Sequence, residues 1–230
     1  MDDRTNFAFF IFILEVSWSL AQDQLLNQCI EGRHHKENAS PEPGLSDTHC
    51  SAWSKNSCCS IETALGITAN STQDGSWLNF RWDHCENKPL SEKCREHFVR
   101  DLCFYECSPN TGPWIVDDKR KIRSNRFMKV PLCQTDCDNW FKDCADDFTC
   151  TRNWARDFKW EGGVNKCPPA SSCRTFIEVF GSAKNFCESV FDHSFVYAPD
   201  WEPCMRLWFD GSSGNPNDKV AAWKARRLRT

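Results

Sequence analysis

Sixteen of the 230 residues are cysteine, yet the chain contains no Cys-x-x-Cys pair. Zinc ribbons and thiol redox sites both rely on that spacing, so neither is expected here. Also missing are a Gly-x-Ser-x-Gly elbow, a His-Glu-x-x-His pair and a glycine-rich phosphate loop. Their absence removes the commonest motif-based hydrolase, zinc-peptidase and nucleotide-binding readings. No apolar run approaches the roughly 20 residues that a bilayer-spanning helix needs. Charge is nearly balanced, with 28 basic and 32 acidic residues and a net of −4. The basic end, Lys224 to Arg229, is short, so nucleic acid is not an expected partner. No repeat or low-complexity segment is evident.

The N-terminus has the layout of a secretory signal. Phe7 to Leu14 is an apolar run, and Ser19-Leu20-Ala21 puts small residues where a signal peptidase reads, predicting cleavage after Ala21. Asp2, Asp3 and Glu15 depart from the ideal pattern. A signal peptide over 1–21 leaves residues 22–230 as the mature chain, with net charge −2 and all sixteen cysteines retained. An even cysteine count in a secreted chain predicts eight bridges, with no thiol left over as a nucleophile or metal ligand. Asn38-Ala39-Ser40 and Asn70-Ser71-Thr72 are glycosylation sequons, at Asn38 and Asn70. These features predict a secreted extracellular protein that is not an enzyme and binds no metal.

Coarse patterning predicts an α+β fold, mostly α, with short strands and long loops. Cys29 to Cys85 reads as irregular, with a short strand at Trp77 to Trp82 and a solvated polar loop at His34-His35. Ser91 to Cys107 reads as a helix capped by Ser91, with Cys94, Phe98, Leu102 and Tyr105 on one stripe. A second helix is expected from Pro131 to about Asp147, with the proline in its first turn. Further helical segments are expected at Ala183 to Phe191 and from Asn215-Pro216 through Trp223. Cys103/Cys107 and Cys133/Cys137 are spaced by one helical turn, which suits bridges leaving one face. The cysteines stop at Cys204, so the last stretch is expected outside the stapled core.

Eleven tryptophans are more than packing usually employs, and ten remain after cleavage. Such a surplus points to a pocket for a flat ligand or to a partner surface, while any single Trp remains compatible with core use. Asp101 stands one turn before Tyr105, so carboxylate and phenol share a helix face. It is either a salt-bridged surface group or an inward carboxylate that needs donors. An aminopyrimidine would supply two parallel N–H groups to it. Arg123 and Arg126 would offer cationic donors to ligand acceptors.

Several motifs then carry a resemblance. Cys103-Phe104-Tyr105-Glu106-Cys107-Ser108-Pro109-Asn110 with Gly112-Pro113-Trp114-Ile115 resembles the signature of the folate receptor and riboflavin-binding protein family. So do Val130-Pro131-Leu132-Cys133, Asp136-Cys137, Thr149-Cys150 with Asn153-Trp154, Asn165-Lys166-Cys167, Leu207-Trp208-Phe209-Asp210 and Gly214-Asn215-Pro216-Asn217. The likeness runs from about Leu25 to Val220 and is nearest to folate receptors. It implies one folate receptor-like ligand-binding domain over 22–210 and no cofactor, while the C-terminal segment 211–230 lacks the apolar run that a lipid-anchor signal needs. The ligand would be folate or a related pterin, with riboflavin as the alternative. A gamete-type module recognising a cell-surface protein is the reading from another class.

Carried over by position, Asp101 would pair with the aminopyrimidine edge. Tyr105 and Phe191 would sandwich the pterin, and Arg123, Arg126 and Ser194 would complete the head-group set. Trp154, Trp160 and Arg156 would follow the tail. The chain departs from the family at Phe191, usually Trp, and at Leu78 and Ile122, where folate receptors have Tyr and Trp. It departs again at Ala155-Arg156-Asp157-Phe158, where Asp157 would add repulsion near the ligand carboxylates. Two lost aromatic neighbours would cost roughly 1–3 kcal/mol of binding. The resemblance also implies the pairs Cys29–Cys58, Cys50–Cys103, Cys59–Cys107, Cys85–Cys173, Cys94–Cys144, Cys133–Cys204, Cys137–Cys187 and Cys150–Cys167.

Overall fold

Ser91 begins the central element. Its hydroxyl accepts from the Cys94 N–H, and the helix Glu92–Cys107 follows, as the capping pattern predicts. The same hydroxyl donates to Asp147 at 2.7 Å, tying the helix start to a distant loop. The computed structural model describes residues 25–30, 34–70, 80–118 and 124–228, the side chains of 68–70 excepted. The expectations on the 1–21 signal segment, Leu78, Ile122, Arg123 and the Asn70 sequon lie outside the described residues.

Five further α-helices are described, at Ile61–Asn70, Gln134–Cys144, Phe176–Phe180, Ala183–Ser189 and Asn217–Arg227. The strands form five two-stranded sheets among the described residues. Four are antiparallel, pairing His35–Ser40 with Ser57–Cys59, Ile115–Asp117 with Asn125–Phe127, Phe148–Thr149 with Arg174–Thr175, and Lys159–Glu161 with Val164–Lys166. The fifth is parallel, between Val130–Cys133 and Phe195–Ala198. The result is an α+β unit of helices, short strands and long connections.

Eight disulfides hold it: Cys29–Cys58, Cys50–Cys103, Cys59–Cys107, Cys85–Cys173, Cys94–Cys144, Cys133–Cys204, Cys137–Cys187 and Cys150–Cys167. These are the pairs implied by the resemblance. Three of them leave the Glu92–Cys107 helix, through Cys94, Cys103 and Cys107. Both ends of that helix are therefore covalently fixed to other parts of the chain.

Several local expectations are corrected. Pro131 does not open a helix; it lies in the parallel strand, and the helix starts only at Gln134. A proline is tolerated there because Val130 supplies the donor, to Ser194 O at 2.9 Å, while Pro131 contributes its carbonyl to Met205 N at 2.7 Å. Residues 61–70, expected irregular, form a helix that starts with the Thr63 N–H on the Ser60 hydroxyl and buries Ala64 and Ile67. Of the strand expected at Trp77 to Trp82, residues 80–82 are irregular. The buried Asn165 carboxamide substitutes for a neighbouring strand there, accepting from Arg81 N at 2.5 Å and donating to Arg81 O at 3.0 Å.

His35 is not solvated either. Pairing of its strand draws it against the long helix, where Nε2 lies 3.0 Å from Glu106 Oε2 with both side chains about 5% exposed or less. The stretch after Cys204 carries no staple, yet its helix sends Val220 and Ala221 into the core. Asn110 holds that segment by donating to Asp218 and accepting from Asn215.

Candidate functional site

Phe98, Asp101 and Tyr105 follow at steps of three and four on the long helix and so share one face. They span about 10 Å of helix axis. Asp101 is 5% exposed. Among the described residues its carboxylate has no hydrogen bond or ion pair, and burial alone pushes its pKa well above the ordinary aspartate range. A carboxylate in that setting is costly to ionise without donors. Ordinary surface use of an aspartate, one of the two possibilities open in the sequence, is excluded by this burial.

On the Cys94 side of Asp101, Phe98 is the hub of an aromatic wall. Its ring stacks on Trp154 at 4.7 Å and 3° and meets Trp140 edge-on at 5.0 Å. It also meets Phe191 edge-on at 6.3 Å. Trp154 is buried, and its indole N–H donates to Thr149 Oγ1 at 3.0 Å. The wall continues outward from Trp154 to Phe80 at 5.8 Å and from Phe80 to Trp160 at 6.4 Å. Trp160 is 51% exposed and sits on the hairpin whose turn residues Gly162 and Gly163 have φ of 60° and 80°. Positive φ at both central residues is what a tight hairpin turn requires and what glycine allows. The rings thus lead from the buried Asp101 helix to the surface. At the other end of the face, the half-buried Tyr105 ring lies 5.2 Å from Phe127 and 5.9 Å from His35.

His84 lies behind this wall. Its ring meets Trp154 edge-on at 4.9 Å and Phe158 at 4.8 Å, with Nε2 3.0 Å from Thr149 Oγ1. Burial outweighs the carbonyls of Arg81 and Trp82 and the charge of Asp83, and pushes its pKa down to about 4.

Phe191 and Ser194 bracket a turn in which Asp192 and His193 both adopt left-handed φ, 53° and 61°. The Ser194 hydroxyl closes the turn by donating to Phe191 O at 2.8 Å. Asp192 binds outward from it in three directions. Its Oδ2 lies 3.0 Å from Arg126 Nη2 and 2.7 Å from Arg156 Nε, and its Oδ1 accepts from Asn153 Nδ2 at 3.1 Å. Its carbonyl accepts from Arg126 Nη1 at 3.1 Å. Partial burial works against its charge, but the bonds from Arg156 and Asn153 and both guanidinium charges prevail, so the carboxyl lies below its usual range.

Asp101 and Tyr105 thus share one helix face, with Phe191 and Trp154 both in ring contact with Phe98. Arg126, Phe191, Ser194 and Arg156 gather around Asp192. Trp160 stands at the exposed end of the aromatic wall, and Arg123 lies outside the described residues. Asp157 does not project as a free negative charge: it caps its own turn, accepting from the Thr151 hydroxyl and from Asn153 N. Sequence reading credited Phe98 only with a place in a helix stripe and passed over Asp192. The three-residue step from Phe98 to Asp101 is a signal that would have found the former. Asp192 has no local signal, because its arginine partners are 36 and 66 positions away.

Groups of cysteine and aspartate close enough to hold a metal, such as Cys150, Cys167 and Cys173, are built on cysteines already in disulfides. They have no thiolate to offer. Among the described residues no helix is long and apolar enough to cross a membrane.

A sequence model of the folate receptor family matches residues 28–206. The chain is 39% identical to folate receptor gamma of Homo sapiens over 208 residues, 89% of this chain and 82% of that one. It is 39% identical to folate receptor alpha of Bos taurus over 209 residues, 89% and 84% respectively. It is also 33% identical to the riboflavin-binding protein of Gallus gallus over 194 residues, 84% and 74% respectively.

Proposed function

This chain belongs to the folate receptor family, and we propose that it binds folate outside the cell, for transport or uptake, without chemically altering it. The observation that carries this reading is the buried, donor-starved carboxylate of Asp101 beside an aromatic wall. A pterin offers a ring N–H and an exocyclic amino group side by side, matching two carboxylate oxygens with two parallel, charge-assisted bonds. The isoalloxazine of riboflavin carries carbonyl acceptors on either side of its ring N–H and cannot make that pair. Carboxylate chemistry therefore favours folate over riboflavin.

In this reading Tyr105 and Phe191 enclose the pterin, and Arg126, Ser194 and, by position, Arg123 meet its acceptors. Trp154 and Trp160 line the route of the aminobenzoate, and Arg156 stands toward the tail. The mature protein is secreted after removal of 1–21 and carries glycans on Asn38, which is exposed, and on Asn70.

Titration with folic acid and separately with riboflavin, read by tryptophan fluorescence, tests the reading. Folic acid should quench saturably and bind at least about tenfold more tightly than riboflavin, the equivalent of one lost charge-assisted bond. Tighter binding of riboflavin would replace it with a riboflavin-carrier reading. Quenching by neither vitamin would leave a protein–protein recognition module.

A further inference from the structure

In the folate reading Arg156 would meet an anionic tail, but its charge is already answered. Its Nε is 2.7 Å from Asp192 Oδ2. The turn that carries it is docked on the 189–192 segment by three further bonds. Arg152 Nε donates to Ser189 Oγ at 3.3 Å, Trp154 N donates to Val190 O at 2.8 Å, and Asn153 Nδ2 donates to Asp192 Oδ1 at 3.1 Å. Swinging Arg156 out to a ligand carboxylate would break an existing ion pair to form an equivalent one. It would also remove one of the two guanidinium groups that hold the Asp192 charge, the other being that of Arg126. Exchanging one partly exposed ion pair for another yields little net affinity.

We propose that Asp192 is a specificity-determining residue that neutralises Arg156, so that the site selects its ligand by the buried head and takes pterin–aminobenzoates with or without a carboxylate-bearing tail. The inference rests on the folate reading of the same site and concerns only its tail. Asp192 acts through Arg156 and Arg126 and is a positioning residue. Two features make the effect specific to its charge. The Arg126 contact to the Asp192 carbonyl survives replacement of the side chain, and an asparagine retains an acceptor for the Asn153 amide.

The test compares folic acid with the primary amide of pteroic acid, which keeps the head and the aminobenzoyl group but carries no carboxylate, on the wild type, Asp192→Asn and Asp192→Glu. The ratio of the two affinities cancels any general loosening of the fold, which a purely structural role would produce. The wild type should bind the two within about threefold, since an exposed, compensated pair contributes under ~1 kcal/mol. Asp192→Asn releases Arg156 and should shift the ratio toward folic acid by about three- to fivefold, most clearly at low salt. Asp192→Glu should return it toward the wild-type value. A wild type that already prefers folic acid by more than tenfold, or an unchanged ratio in Asp192→Asn, would overturn the inference while leaving the folate reading intact. Failure of both ligands to bind the wild type would overturn the folate reading and this inference with it.

Discussion

Replacing Asp101 with asparagine separates what this side chain costs the fold from what it contributes to binding. The carboxyl is buried, without a donor among the described residues, and its pKa is raised by burial alone. In the free protein it therefore keeps its proton to higher pH than the ordinary value of 3.8. The folded chain binds that proton more tightly than the unfolded one. Stability should fall as pH rises from about 3.8 toward the raised value, and Asp101→Asn should remove this slope. At neutral pH the variant should melt no lower than the wild type. A drop of more than about 4 °C, roughly 1 kcal/mol for a chain of this size, would mean that the carboxylate has a structural partner after all.

Binding should respond in the opposite sense. Two hydrogen bonds to a charged acceptor contribute about 1.5–3 kcal/mol each. An asparagine also turns one donor toward the ligand's own donors, so the expected loss is about 3–5 kcal/mol, on the order of a hundred- to a few thousandfold in Kd. A ligand that donates to both oxygens favours the ionised form, so binding at a pH below the raised value should release a proton. Calorimetric titration of the wild type with folic acid, repeated in buffers of different ionisation enthalpy, reads that proton directly. Undiminished folic acid binding by Asp101→Asn, or no proton release by the wild type at any pH below the raised value, would refute the reasoning.

His84 should make the fold acid-sensitive, with the sign reversed: its pKa is pushed down from 6.5 to about 4, so the unfolded chain binds the extra proton. Stability conferred by the neutral ring is present above pH 6.5 and is lost as pH falls toward about 4, and His84→Gln should flatten that part of a series of thermal melts. Removing the Cys94–Cys144 bridge as a double serine variant should cost about 2–5 kcal/mol in denaturant unfolding. Because it frees the start of the Asp101 helix, folic acid affinity should fall as well; full affinity would show that the bridge does not preorganise the site.

Much of the helix that carries the site was readable in advance. Ser91 caps the backbone three residues on, and an apolar stripe declares itself within four residues, so both signals are local. The same local logic failed at Pro131, whose suitability for a first helical turn was overridden by pairing with Phe195–Ala198 more than sixty positions away. It failed at His35 for a similar reason. The polar pair His34-His35 looks solvated until a strand pairing presses the His35 side chain onto Glu106. The Ile61–Asn70 helix was missed because, among its described side chains, only Thr63, Ala64 and Ile67 are buried, and two of these are β-branched.

The chain's own order of residues was sufficient for the cap at Ser91, the absence of zinc-type cysteine spacing and the motifs that mark the family. Each depends on which residues stand close together along the chain or recur in a fixed order. Three-dimensional packing was needed to learn that Asp101 is buried without a donor, that Phe98 and Trp154 stack, and that Asp192 holds Arg126 and Arg156. Desolvation and ion pairing are set by whichever groups arrive from elsewhere in the fold, and a residue's own neighbours in sequence do not specify them.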